Sequence, residues 1–350
     1  MAHNHNQPFN RAKPSVSNEI VGVRPNPKTI NTIDFGDKGV KFNQELYTME
    51  NDTNYVVTFS ELSPKIRKPA SDIVSLENSA WFTRFGGYNV RRQLALGQHF
   101  GIPSIFVGVQ QNNRRVGDLE RTARDTLEIK KHIGERLGHH ATALILNGIS
   151  RGAMIADTTQ SIAHEHGLHV VYKDSLVPCQ PNGLNIVKSL RDVKDNIPSE
   201  IQATQSLNLP LSILHKYANT FDGTPRALKQ QIIEFPALVN GKLGRLVRAN
   251  PHKDEAFGYS LVYGGDILSR GEEFMDLYKD YPYTHVDLVH GGGHVSCASE
   301  SNYQDWKERI DTVAELLHEN PSIIELGASA MYLAATEVKP VFLKEYDLAS

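Results

Sequence analysis

The stretch Gly148-Ile149-Ser150-Arg151-Gly152 has the residue types and spacing that point most directly at chemistry. It follows the apolar run Ala143-Leu144-Ile145-Leu146 and precedes a helix-like segment from Ala153 to His166, the setting of a nucleophile elbow. A serine hydroxyl is a poor nucleophile at its ordinary pKa. It must be exposed, held near a base and surrounded by amide donors for a developing oxyanion, and a sharp strand-to-helix turn does all three. Glycines flank such a turn because the chain before it packs against the chain after it and leaves no room for a Cβ. The pentapeptide alone also describes a glycine-rich turn with a solvated serine; the strand before it and the helix after it favour the nucleophile.

A general base has to reach that serine from a loop at the carboxyl end of a neighbouring strand. Thr284 to Val289 reads as a strand and runs into His290-Gly291-Gly292-Gly293-His294, where three glycines let the loop double back and deliver a histidine. His294 is the candidate base, with His290 at the strand end as the competing choice. A carboxylate that orients the imidazole should lie between serine and histidine in the chain. Asp266 does so, ending the apolar run Tyr259 to Tyr263 and its glycines. A surface aspartate capping the next helix is the plainer reading of Asp266.

In this order, serine, acid and histidine resemble the α/β-hydrolase superfamily over roughly residues 70 to 320. The resemblance implies an α/β fold with a mostly parallel central sheet flanked by helices and an inserted helical lid. It implies acyl transfer to water: Ser150 attacks an ester or related acyl carbon, His294 takes the proton and Asp266 holds His294, with Asp174, after the run Leu168 to Tyr172, as the alternative acid because some members take it from that earlier strand. It places one oxyanion donor on the amide of Arg151 and the second on the loop after the strand Asp72 to Leu76, with Asn78 and Ser79 as candidates. It calls for no cofactor. A lyase or acyltransferase on the same scaffold would keep these residues and differ in its lid, while a binding protein that only retains the fold would not need them.

Several elements must position this constellation. Residues 1–28 are rich in Asn, Pro and Ser and read as a loosely draped arm. Segments at 30–35, 40–49 and 55–59 carry β-branched and aromatic residues between turn signals, an antiparallel meander. From 72 onward, strand and helix patterns alternate. Tyr88 to Phe100 looks helical; Ile102 to Val109 holds a strand; Asp118 caps an amphipathic helix that Gly138 ends. That alternation builds a parallel sheet, so residues 29–177 form the first part of the core. Between 178 and 258 the rhythm stops and prolines punctuate a polar, helix-rich insertion, the expected lid, in which Leu207, Leu209, Leu211, Ile213 and Leu214 line an acyl pocket or pack the lid on the sheet. Residues 259–320 complete the core, with Trp306, Ile310, Val313 and Leu317 on one face of a closing helix. The extension 321–350 docks on the domain or on a second subunit of a homo-oligomer.

Composition excludes other classes. The 350 residues are 40% hydrophobic and 22% charged, enough for a substantial core. A net charge of −3 offers no electrostatic footprint for nucleic acid, and Arg114-Arg115 reads as solvated loop. No run approaches the ~18 apolar residues that span a bilayer, and the polar amino terminus lacks a leader's apolar segment, which predicts a cytoplasmic protein; only two cysteines, Cys179 and Cys297, are compatible with that, and the small-molecule acyl substrate is what the α/β-hydrolase resemblance implies. Among the histidine-rich spots, His3-Asn4-His5, His139-His140 and His164-Glu165-His166 lack metal-site spacing. His164 and His166 are two apart and fall on different sides of a helix, whereas H-E-x-x-H puts both histidines on one face. The sequence by itself therefore calls for no metal.

Overall fold

Among the described residues, ten strands, numbered in chain order with their ranges given below, form one sheet in the order β1-β2-β3-β5-β4-β6-β7-β8-β9-β10. The computed structural model describes residues 22–66, 72–80, 85, 88–110, 118–178, 232, 234, 236, 240–263, 266, 271–290, 294, 297, 300–319 and 346–347. The expected arm up to residue 21, Arg114-Arg115, Cys179, the lid leucines and most of the carboxyl-terminal extension lie outside the described residues.

β1 (Lys28–Phe35), β2 (Val40–Thr48) and β3 (Asn54–Leu62) form the expected antiparallel meander, and β3 joins the rest of the sheet by pairing antiparallel with β5 (Ser104–Gln110). The last residues of the expected arm are tied down: Val23 bridges Met49, and Arg24 Nη2 lies 2.6 Å from Asp52. β4 (Ile73–Asn78), β5, β6 (Ala143–Ile149), β7 (His169–Leu176), β8 (Phe257–Tyr263) and β9 (Thr284–His290) run parallel. β10 (Tyr346–Asp347) adds two residues of the extension alongside β9. β4 is buried along its whole length, and every residue of β6 but Ile149 is buried, which is why both read as continuous apolar runs without alternation. β4 extends two residues further than its apolar run predicts, because Glu77 and Asn78 find buried partners: Asn89 and Gln93 donate to Glu77, and Thr126 donates to Asn78.

Helices cover both faces, as right-handed crossovers between parallel strands require. On one side lie α2 (Leu119–Leu137), α3 (Arg151–Ile162), α4 (Lys242–Ala249) and α5 (Gly271–Tyr278), which bring Leu127, Met154, Val247 and Phe274 into a common cluster with β4 and β6 residues. On the other lie α1 (Tyr88–Phe100) and α6 (Glu300–Glu319), whose Leu96, Trp306 and Ile310 pack on Ile73, Ile145 and Tyr172. The Asp118 side chain accepts from the Arg121 amide to start α2, and Gly138 ends it at φ 69°. α4 falls within the range expected for the lid, yet Leu243 and Val247 are buried in the core cluster beside α3. No described helix is long and apolar enough to cross a membrane.

Candidate active site

Ser150 occupies the junction of β6 and α3 with φ 56° and ψ −118°, a left-handed backbone that a non-glycine residue adopts only at a cost of about 1–3 kcal/mol. Its environment enforces that conformation. The Ser150 amide donates to Leu176 O of β7 at 2.8 Å, and its carbonyl accepts from Met154 N one turn into α3. A Cβ on Gly148 would stand 2.2 Å from the Gly152 carbonyl, and one on Gly152 would stand 2.1 Å from Asn78 O. Only glycine fits at either position, so the turn, the helix start and the end of β4 are forced together. The register that pairs Asn78 with Gly148 fixes the same contact from the sheet side.

Asp266 and His294 come from the loops after β8 and β9. Asp266 sits three residues past β8, with its amide bonded to Tyr263 O at 3.1 Å. Its Oδ2 lies 2.8 Å from His294 Nδ1; the carboxyl side chain is fully buried, while that of His294 is 20% exposed. The imidazole is thus held through Nδ1 while remaining within reach of solvent. All parallel strands end on one side, so Ser150, Asp266 and His294 share the carboxyl edge of the sheet. The Cys297 thiol donates to the His294 carbonyl at 3.3 Å. His290, the competing base, is the last residue of β9. The glycines 291–293 and 264–265 lie outside the described residues.

Asp174, the alternative acid, is in β7 and turns to other partners. Arg92 Nη2 of α1 donates to its Oδ2 at 2.8 Å, and Arg309 Nη2 of α6 to its Oδ1 at 3.4 Å. Arg92 also donates to Asn147 Oδ1 and lies over the Trp306 ring. Near it, burial holds the Glu77 carboxyl above its ordinary range, against the Arg92 guanidinium 3.9 Å away. This charged cluster cements α1 and α6 to the sheet below the carboxyl edge.

The expected oxyanion residues are partly engaged elsewhere. Ser79 N–H donates to Val107 O at 3.0 Å, which commits that amide to the sheet; the expectation of an amide donor therefore does not fit Ser79's own N–H. Its hydroxyl, by contrast, is buried and finds no hydrogen-bond partner among the described residues. The Asn78 side chain is taken by Thr126. The amide of Arg151 is among the first of α3, where the helix has no preceding carbonyl to offer.

One group at the turn escaped sequence reasoning. The Arg151 side chain is buried and forked onto Glu234 of the insertion, with Nε to Oε2 at 2.7 Å and Nη2 to Oε1 at 2.9 Å, while Nη1 donates to Ser79 O at 3.2 Å. Both side chains are at most 2% exposed. The residue after the serine thereby ties three segments together, with the planar two-bond geometry that favours arginine over lysine. An arginine inside a turn bounded by glycines was the available signal, but its acidic counterpart is 83 positions away.

No protein-family model and no curated protein matches the chain. Solved structures do. An esterase from Pyrococcus furiosus matches with a TM-score of 0.52 at 14% identity, covering 83% of this chain and 95% of its own. A putative hydrolase from Legionella pneumophila matches with a TM-score of 0.52 at 13% identity over 83% and 97%. E-2-(acetamidomethylene)succinate hydrolase matches with a TM-score of 0.53 at 12% identity over 78% and 99%. With the strand order and the helices on both faces, these establish that the chain has the α/β-hydrolase fold.

Proposed function

We propose that the protein is a serine hydrolase that cleaves a carboxylic ester or related small acyl substrate through an acyl-enzyme intermediate. The observation that carries this reading is the Asp266 to His294 hydrogen bond of 2.8 Å on the sheet edge where Ser150 sits with positive φ. Asp266 accepts from Nδ1–H and so fixes the tautomer in which Nε2 is the basic nitrogen. His294 Nε2 then takes the Ser150 proton as Oγ attacks the acyl carbon, and returns it to the leaving group as the tetrahedral species collapses. A water activated by the same nitrogen releases the acid and regenerates Ser150. The Arg151 amide and the buried Ser79 hydroxyl are the donors on hand for the oxyanion. The insertion shapes the substrate pocket, and Glu234 anchors it to the elbow. Esterase and hydrolase activities among the structural neighbours are in keeping with this chemistry.

A fluorophosphonate probe tests nucleophile activation without knowledge of the substrate. Wild-type protein is expected to gain one adduct by intact mass, and folded Ser150→Ala none. Folded wild type that takes no adduct, or a Ser150→Ala protein that still does, overturns the assignment.

A further inference from the structure

At the far end of α3, the structure assembles a second group of ligating side chains. The helix passes into a 3-10 turn, Ala163–His166, that Gly167 closes at φ 67°. His164 leaves this turn toward the chain that leads into β8, where His252 and Glu255 wait. His164 Nε2 contacts Glu255 Oε2, and His252 Nδ1 lies 2.7 Å from Glu255 Oε1. The two imidazoles stack with centroids 3.6 Å apart and planes 11° apart, and His169, the first residue of β7, stands edge-on to His164 at 5.2 Å. One ligand atom from each of His164, His252 and Glu255 lies within 4.8 Å of the others.

We propose that His164, His252 and Glu255 bind a zinc-class divalent ion that clips the end of α3 to the segment entering β8. Two imidazoles and one carboxylate suit a borderline metal, and three protein ligands leave a fourth tetrahedral position for water. Ligands on a zinc tetrahedron stand roughly 3.3 Å apart, a spacing that small side-chain rotations reach from the present one. The turn that presents two of the ligands is built independently of any ion: the His252 amide donates to Asn250 Oδ1 at 3.0 Å and the Glu255 amide to His252 O at 3.2 Å, which sets the side chains of an i, i+3 pair side by side. With His164, His252 and Glu255 side chains 31%, 28% and 38% exposed, an ion enters from solvent without opening the core.

The neighbours of His164 are otherwise employed. Glu165 pairs with Arg124 at 2.7 Å, and His166 stands 3.6 Å from Glu128, both on α2. The His-Glu-His triplet is thus split between two sides, and His164 acts with residues 88 and 91 positions away. The fourteen residue steps from Ser150 to His164 rise roughly 20 Å at about 1.5 Å each, so the ion sits at the amino edge of the sheet, remote from the serine. Its role is to close the long loop that carries β7 and the insertion.

Full-length, chelator-treated protein titrated with zinc chloride by calorimetry tests this directly. Wild type is expected to bind one ion at this site with a Tm rise of about 4 °C at a hundredfold excess over Kd. Glu255→Ala and His252→Asn should lose both effects, while the His3→Ala, His5→Ala double variant, which removes the amino-terminal histidines, should keep them. Cobalt added to wild type should give the intense visible bands of a tetrahedral site, a readout that needs no variant to fold. Absence of saturable zinc binding, a cobalt spectrum of the weak aquo type, or a folded Glu255→Ala that binds as wild type does would each overturn the proposal.

Discussion

Asp174 and Asp266 belong to neighbouring parallel strands, one within β7 and the other just after β8, and both side chains are fully buried. They differ in what they meet. Asp174 faces two guanidinium groups, Arg92 and Arg309, which stay charged at every accessible pH and have no proton to exchange. Asp266 faces an imidazole, the side chain that takes and gives a proton near neutrality. A buried carboxylate beside arginine is thus half of a fixed ion pair, whereas beside histidine it holds a ring that keeps part of its surface in solvent. Nothing in the aspartate itself distinguishes the two.

Exchanging each acid for its amide should separate activity from stability. Asp266→Asn is expected to fold with a near wild-type Tm and to lose on the order of 10³–10⁴ in kcat on an activated ester, because the amide favours the wrong imidazole tautomer. Asp174→Asn should do the reverse, costing about 3–5 kcal/mol in denaturant unfolding by leaving buried guanidinium charge uncompensated, while the folded fraction keeps its kcat. Equal effects of the two substitutions would collapse the distinction. Glu234→Gln asks whether the Arg151 fork behaves like the Asp174 cluster. We expect a loss of about 3 kcal/mol, at the low end because the amide oxygen still accepts one hydrogen bond, together with slower probe labelling of Ser150.

Asp125 gives an effect that depends on pH and fades above about pH 6. Burial pushes its carboxyl up to about 6, even though Arg121 and Tyr55 both donate to it. The neutral acid is the form the fold prefers, so its stabilising contribution is complete below the unfolded value near pH 4 and is lost as pH rises through about 6. Up to about 3 kcal/mol is at stake over that window. Asp125→Asn should therefore flatten the unfolding free energy between pH 4 and 6, and an unchanged slope would show that Arg121 offsets the burial.

Local rules made much of this molecule legible. Continuous apolar β4 and β6, the amphipathic α2 between Asp118 and Gly138, and the glycines around Ser150 each state their conformation within a dozen residues. The candidates Ser150, Asp266 and His294 could be ordered because each follows a strand that the sequence marks. Contacts that depend on which segments become neighbours were not legible. β4 outruns its apolar stretch because Glu77 and Asn78 meet partners on α1 and α2, and the amide of Ser79 is taken by β5. α4 reads as lid by composition, yet its Leu243 and Val247 are packed in the core.

By itself the sequence determined the parallel sheet, the strained turn at Ser150 and two aspartates as candidate partners for His294. Backbone propensity, glycine's lack of a Cβ and hydrophobic period act over a few residues and need no knowledge of the rest of the chain. Only the tertiary structure decided which aspartate meets His294, that Arg151 locks onto Glu234, and that His164 leaves its own triplet for His252 and Glu255. Those pairings are set by where strands and helices end in space, and a pair 28, 83 or 91 residues apart leaves no trace in local spacing.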